Sequence, residues 1–254
     1  MSRSLVRRAQ PWLGTIVAIE VMAEGDAAHA APAFARAFAA VERVHEAMSL
    51  QSATSDVARF NTARNGAVVV CDPWTINVLR LAQRLQRASA GLFDVALGTS
   101  RNGAYRIVDA RSVVKLGGRI DLGGIAKGYA VDRAVLALRA SGVERGLVNA
   151  GGDLRAFGPG AWPIVVRTGQ TDAVVQIALE RGAIATSQYR GGRSPYHDDA
   201  LISPAGSAVH AIDRTITVAA PRCALADALT KVVALSGNAR HPMLHEMGGL
   251  AWLQ

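Results

Sequence analysis

Two cysteines in 254 residues, Cys71 and Cys223, rule out a disulfide framework, and with no CxxC pair they outline no metal cage. Both are expected as buried thiols. Aromatic residues make up only 5% of the chain, too few for a platform that stacks single-stranded bases. No run of five or six like charges occurs. The excess of 28 Lys and Arg over 20 Asp and Glu, net +8, therefore reads as a broad preference for anionic partners, not as a nucleic-acid tail. Arg, Asp or Gly interrupts every apolar stretch before the length of about eighteen residues that a membrane span needs. The basic opening MSRSLVRRAQPWLGT lacks the apolar region of roughly 7–15 residues that follows in a secretory signal. The expectation is a cytoplasmic protein with no nucleic-acid partner and no stable membrane insertion.

What is present suits a folded enzyme-sized domain. Half the residues are hydrophobic and 19% are charged, and the length allows a large core in one domain over residues 1–254. GTIVAIEVMA (14–23) alternates bulky β-formers and predicts an opening strand, and the Ala-rich stretch ending VERVHEAMSL predicts a helix. A short helical pattern follows SLQSATSD. Residues 73–90 form an amphipathic helix that Asp72 caps and Pro73 starts, and GLFDVALG reads as a loop. The middle alternates strand, Gly turn and helix through GRIDLGG, IAKGYAVDRAVLALRASG and RGLVNAGGDLRAFG. The last third is strand-like (WPIVVRT, AVVQIAL, GAIATSQY, TITVAA) before a final helix. Helices gather in the first half and strands in the second, which predicts an α+β fold.

Three stretches carry chemistry. In RIDLGGIAKGYAVDRA a strand is expected to end at Asp121, Gly123 and Gly124 follow, and a helix opens with Lys127 in its first turn. Bare N–H groups at a helix start beside an ammonium suit a phosphate, and a tight strand-to-helix turn is the plainer reading. Neither a Walker loop nor a GxGxxG fingerprint is present. VNAGGDLRAFG repeats Gly-Gly, with Asp153 either capping the turn or accepting from a ligand. Phe93-Asp94 is either core plus turn or a hold on a heteroaromatic ring. In CALADALTKVV, Leu225, Leu229, Val232 and Ser236 form one stripe while Asp227, Thr230 and Lys231 share another face. Asp227 and Lys231 at i, i+4 read, taken alone, as a solvated ion pair worth roughly 0.2–0.5 kcal/mol.

In order, LGT (13–15), Ser49 and Ser55 before Phe60-Asn61, GLFD (91–94), IDLGGIAKGYAVD (120–132), LVNAGGDLRAFG (147–158), ATS-x-Y (185–189) and ADAL (226–229) resemble the FAD:protein FMN transferase family, also called the ApbE family. The resemblance runs from residue 13 to about residue 237. It implies a T-fold-like α+β architecture that binds FAD with a magnesium ion at the pyrophosphate. Such an enzyme moves FMN from FAD onto a threonine of an acceptor flavoprotein and releases AMP. By position, Leu13, Gln51, Leu92, Phe93 and Asp94 would line the flavin pocket. Asp121, Gly123 and Lys127 would meet FAD, Gly124 would offer its carbonyl to the metal, and Asp227 would be the metal carboxylate.

The chain departs from the family pattern in a shortening between Gly98 and Arg106, in Leu13 for the usual Met, and at two places in the site. Lys231 stands where the family's metal helix, D-A-x-x-T, has a threonine. An ammonium has three donors and no acceptor, so it cannot ligate magnesium. Either Thr230 supplies the hydroxyl, or the Lys231 ammonium takes the cation's place with Asp227 holding it; the second is preferred. Ala200 and Ser203 replace the His and Asp of the family's H-x-x-D-P stretch, leaving His197 either as a substitute histidine or, the plainer reading, as a surface-loop residue. Two other activities fit the same motifs: FAD binding without turnover, and FAD hydrolysis to FMN and AMP.

Overall fold

The computed structural model describes residues 3–24, 27–100, 103–167, 174–189, 201–203, 206–209 and 214–253. The chain opens with the hairpin β1 (Arg3–Trp12) and β2 (Thr15–Glu24), then the long helix α1 (Ala27–Met48). Helix α2 (Asp56–Thr62), strand β3 (Val68–Val70), helix α3 (Pro73–Ala88) and strands β4 (Tyr105–Ile107) and β5 (Ser112–Lys115) follow. Helix α4 (Ala126–Ala140) leads into β6 (Gly146–Ala150), β7 (Asp153–Phe157), β8 (Trp162–Arg167), β9 (Val174–Leu179) and β10 (Gly182–Tyr189). Last come the short pair β11 (Leu201–Ile202) and β12 (Ala208–Val209), β13 (Arg214–Ala220), α5 (Cys223–Ser236), α6 (Pro242–Glu246) and β14 (Leu250–Leu253).

Seven strands form the main sheet in the order β1-β2-β6-β7-β10-β13-β14, and every neighbour pairs antiparallel. Period-2 alternation sends its side chains to two cores. Val148, Ala183 and Ala185 enter the large core under α1, α4 and α5, while Leu147, Leu154 and Ile184 point the other way. The β8–β9 hairpin closes that second face with Trp162, Ile164, Val166 and Leu179. On β2, Val17, Ile19 and Val21 are fully buried, and each such side chain contributes about 1.5–3 kcal/mol of hydrophobic stabilisation. A small sheet, β3-β5-β4, lies with α2 and α3 beside this framework.

The α+β expectation holds, and helix α3 begins as the sequence predicts: Asp72 accepts from the Trp74 N–H at 2.7 Å with Pro73 in the first turn. Two readings need correction. The basic opening is a strand, paired with β2 from Arg3↔Glu24 to Trp12↔Thr15, with Val6 turned inward and Arg7 facing Glu20. GRIDLGG is not a strand. A side chain takes the place of a strand partner: Asn61 accepts from the Ile120 N–H at 2.8 Å and donates to the Ile120 carbonyl at 2.9 Å. Both cysteines are free and buried, as expected. Burial pushes the Cys71 thiol up to about 12, with Asp56 adding to the shift, so it stays an inert thiol. Among the described residues no helix is long and apolar enough to cross a membrane.

Candidate active site

Close backbone approaches at glycine build the site. Gly151 and Gly152, at φ +63° and +103°, make the two-residue turn between the paired residues Ala150 and Asp153. A Cβ on Gly151 would come within 2.5 Å of the Thr15 hydroxyl, and one on Gly152 would touch the Thr186 carbonyl at 3.8 Å. The LGT, NAGGD and ATS blocks therefore meet at one end of the main sheet. Between helices the approach is tighter still: a Cβ on Gly128 would lie 2.3 Å from the Cys223 carbonyl oxygen. Only glycine lets α4 pass this close to the start of α5.

That crossing fixes two carboxylates. One turn beyond Gly128, Asp132 accepts from the Cys223 and Ala224 N–H groups at 3.0 and 3.1 Å and from Arg155 at 2.7 Å. It caps α5 from a different helix, where Arg222 at the N-cap position offers no side-chain bond. The Gly128 N–H itself donates to Asp227 Oδ2 at 3.2 Å.

The Asp227–Lys231 pair is not the solvated surface pair that helical spacing suggests. Asp227 and Thr230 are fully buried, because α4 and β10 cover the face of α5 that the sequence leaves polar. Lys231 Nζ donates to Asp227 Oδ1 at 2.6 Å, to the Asp227 carbonyl at 3.2 Å and to Ser187 Oγ at 3.4 Å. Its stem runs along the glycine pair, since a Cβ on Gly124 would sit 3.3 Å from Lys231 Cε. Burial lowers the lysine's proton affinity, but Asp227, Tyr189 and Asp153 together more than offset this and carry it above its ordinary value. The Thr230 hydroxyl bonds to the Asp227 carbonyl at 2.7 Å and to Ser187 Oγ at 2.9 Å, away from the carboxylate oxygens.

A second pair lies beside the first. Lys127, in the first turn of α4, places Nζ 3.3 Å from Asp153 Oδ2. The contact is an ion pair without hydrogen-bond alignment, so among the described residues this buried oxygen has no hydrogen-bond partner. Burial first, then repulsion from Asp227, pushes the Asp153 carboxyl up to about 7 against the pull of Lys127 and Lys231.

The remaining predicted site residues are more dispersed in their contacts. Asp121 accepts from the Gly123 N–H at 2.7 Å and, through its own N–H, ties the glycine segment to the Val95 carbonyl at 2.8 Å. Asp94 holds its own loop, accepting from Ala96 N–H and Gln86 at 2.9 Å each and from Gly98 N–H at 3.2 Å. Phe93 is buried in the core, Leu92 packs against it, and Gln51 is exposed. Leu13 sits at φ +57° in the β1–β2 turn, a conformation that costs a non-glycine residue of the order of 1–3 kcal/mol. His197 lies outside the described residues.

Magnesium does not fit this arrangement. Both Asp227 carboxylate oxygens are engaged, one by an ammonium and one by a backbone N–H. Among the described residues no three His, Cys, Asp or Glu side chains gather as a metal group. A cleft of about 690 Å³, lined by Arg139, Arg181, Phe157 and Pro221, opens at the opposite end of the sheet from these charges.

The sequence model of the ApbE family matches residues 13–107 and 101–253. The chain belongs to the ApbE family. The FAD:protein FMN transferase of Treponema pallidum (strain Nichols) is 24% identical over 96% of this chain and 82% of its own length. The ApbE protein of Thermotoga maritima superposes with a TM-score of 0.84 at 25% identity, covering 98% of this chain and 94% of that one. The flavin transferase ApbE of Vibrio cholerae superposes at 0.80 with 22% identity, covering 99% and 94%. Within this ApbE-family fold, sequence reasoning missed Ser187, Gly128, Asn61 and Asp132 as builders of the site. Gly128 and Asp132 had a readable signal: they stand at i, i+4 on one face of α4.

Proposed function

We propose that the protein transfers the FMN half of FAD to a threonine hydroxyl of an acceptor flavoprotein and releases AMP. Family membership supports the reaction class, and one feature of the site carries the reading: two ammonium groups, Lys127 and Lys231, flank the Gly123-Gly124 segment at the start of α4. A glycine turn leading into a helix start, with two cations beside it, is complementary to a pyrophosphate. Leu13, Gln51 and Leu92 to Asp94 line the flavin end in this proposal, Asp121 and Gly123 meet FAD near the phosphates, and His197 serves the incoming hydroxyl.

In the reaction, the threonine oxygen bonds to the flavin-side phosphorus while the bond from that phosphorus to the bridging oxygen breaks. AMP leaves with the bridging oxygen, and the hydroxyl proton is released. Negative charge builds on the transferred phosphoryl group and on AMP, so fixed cations stabilise the transition state more than the ground state. The magnesium that the family resemblance implies would supply the same stabilisation, but Asp227 is already engaged by Lys231.

The test incubates purified protein with FAD and a threonine-bearing acceptor, and follows AMP and acceptor mass together. AMP released in step with an FMN adduct is the expected result. A second reading, FAD binding without turnover, is favoured by the closed Lys231–Asp227 pair and predicts intact FAD. Free FMN formed without acceptor would instead mean hydrolysis.

A further inference from the structure

We infer that the Lys231 ammonium is a built-in cation that replaces a divalent metal, so that the site holds the FAD pyrophosphate in the absence of magnesium. The inference rests on the flavin reading and adds to it which cation is used.

Lys231 reaches the site through a helix that is otherwise buried on every side, and its side chain remains 22% exposed where that of Asp227 is 1% exposed. Its side chain is therefore neither sealed in the core nor free in solvent. Asp227 fixes it from one side, through Oδ1 at 2.6 Å and the backbone carbonyl at 3.2 Å. Gly124 lies along it on another side, with a Cβ position 3.3, 3.7 and 3.8 Å from Cε, Cδ and Cγ. The same side chain thus holds the carboxylate through its ammonium and lies along the glycine segment through its stem.

The donor count leaves room for a ligand. An ammonium has three N–H donors; two are held firmly by Asp227, and the third reaches Ser187 Oγ at 3.4 Å, the longest of the set. A phosphate oxygen competes readily for that donor, because it carries the opposite charge that the hydroxyl lacks and the existing contact is long. Charge supports the same assignment. Lys127 and Lys231 stand against Asp153 and Asp227, so the resting cluster is balanced and does not need a metal ion for neutrality. A magnesium ion on Asp227 would face an ammonium bound to the same carboxylate.

The experiment measures FAD affinity by quenching of flavin fluorescence, in EDTA and in millimolar magnesium, for the wild-type protein, Lys231→Thr and Lys231→Met. Calorimetry with magnesium alone accompanies it. Wild-type affinity is expected to change less than about twofold between the two buffers, with no magnesium heat. Lys231→Thr is expected to lose about tenfold or more in EDTA, the effect of one charge-assisted hydrogen bond, and to regain affinity with magnesium. Lys231→Met loses the same and regains nothing. Wild-type FAD binding that collapses in EDTA, or stoichiometric magnesium binding to the wild-type protein, overturns the inference and leaves the flavin reading standing. No FAD binding in either buffer by folded wild-type protein overturns both. The wild-type comparison decides the matter even where a variant fails to fold.

Discussion

Two buried acids stand on neighbouring elements of the site, Asp132 on α4 and Asp153 on β7, and they differ in how completely they are satisfied. Asp132 has both oxygens occupied, by two N–H groups at the start of α5 and by Arg155. Asp153, one ion pair away from Lys127, keeps an oxygen without a hydrogen bond and a carboxyl pushed up to about 7 by burial and by Asp227. A fully satisfied buried charge holds elements together; one left short is poised to respond to a ligand or a proton. The two acids therefore separate the part of the site that builds the fold from the part proposed to meet FAD.

The largest effect should come from breaking the satisfied acid. Asp132→Ala leaves Arg155 unpaired and two helix N–H groups uncapped, and loss of one partner from a buried pair costs about 3–5 kcal/mol. Denaturant unfolding should show that loss, while the protein that remains folded binds FAD with near wild-type affinity. A large drop in affinity per folded molecule would place Asp132 among the ligand-facing groups instead.

Gly128→Ala tests the crossing that brings both acids into place. The added methyl would overlap the Cys223 carbonyl, so α4 and α5 must part, at about 1–3 kcal/mol for overpacking of this kind. Because the Gly128 N–H also holds Asp227, FAD affinity should fall along with the melting temperature. Loss of stability with affinity intact would uncouple the crossing from the site.

This division also explains what the sequence makes legible. The stripe Leu225, Leu229 and Val232 identifies α5, and Gly123-Gly124 before Lys127 marks the turn into α4, because both are local patterns. Periodicity says which helix face is apolar, not that the polar face is bare. Asp227 and Thr230 are buried by α4, a neighbour whose approach depends on Gly128. The cap from Asp132 and the clamp of Asn61 on Ile120 join positions 91 and 59 residues apart, beyond the reach of any local rule. Strand β1 was hidden for another reason: Arg7 and Arg8 break its apolar alternation, and ten paired residues with β2 supply the order that its composition does not.

The most specific effect is a pH slope from the unsatisfied acid. In the unfolded chain Asp153 titrates near its ordinary value of about 3.9, whereas in the folded protein its carboxyl is pushed up to about 7. Between those values the folded state holds a proton that the unfolded state has released, so stability falls as pH rises through this window and levels off above it. The slope contributed by one such group is at most about 1.4 kcal/mol per pH unit. Asp153→Asn cannot titrate and should remove that portion of the slope in unfolding measured from pH 4 to pH 8. The same proton bears on FAD: below pH 7 two ammonium groups face one carboxylate, and above it they face two. Wild-type FAD affinity should therefore weaken as pH passes through about 7, and Asp153→Asn should lose that step while the Asp132 variants keep it. Equal slopes in wild type and Asp153→Asn would mean that Asp153 is as well satisfied as Asp132, and the contrast between the two acids would collapse.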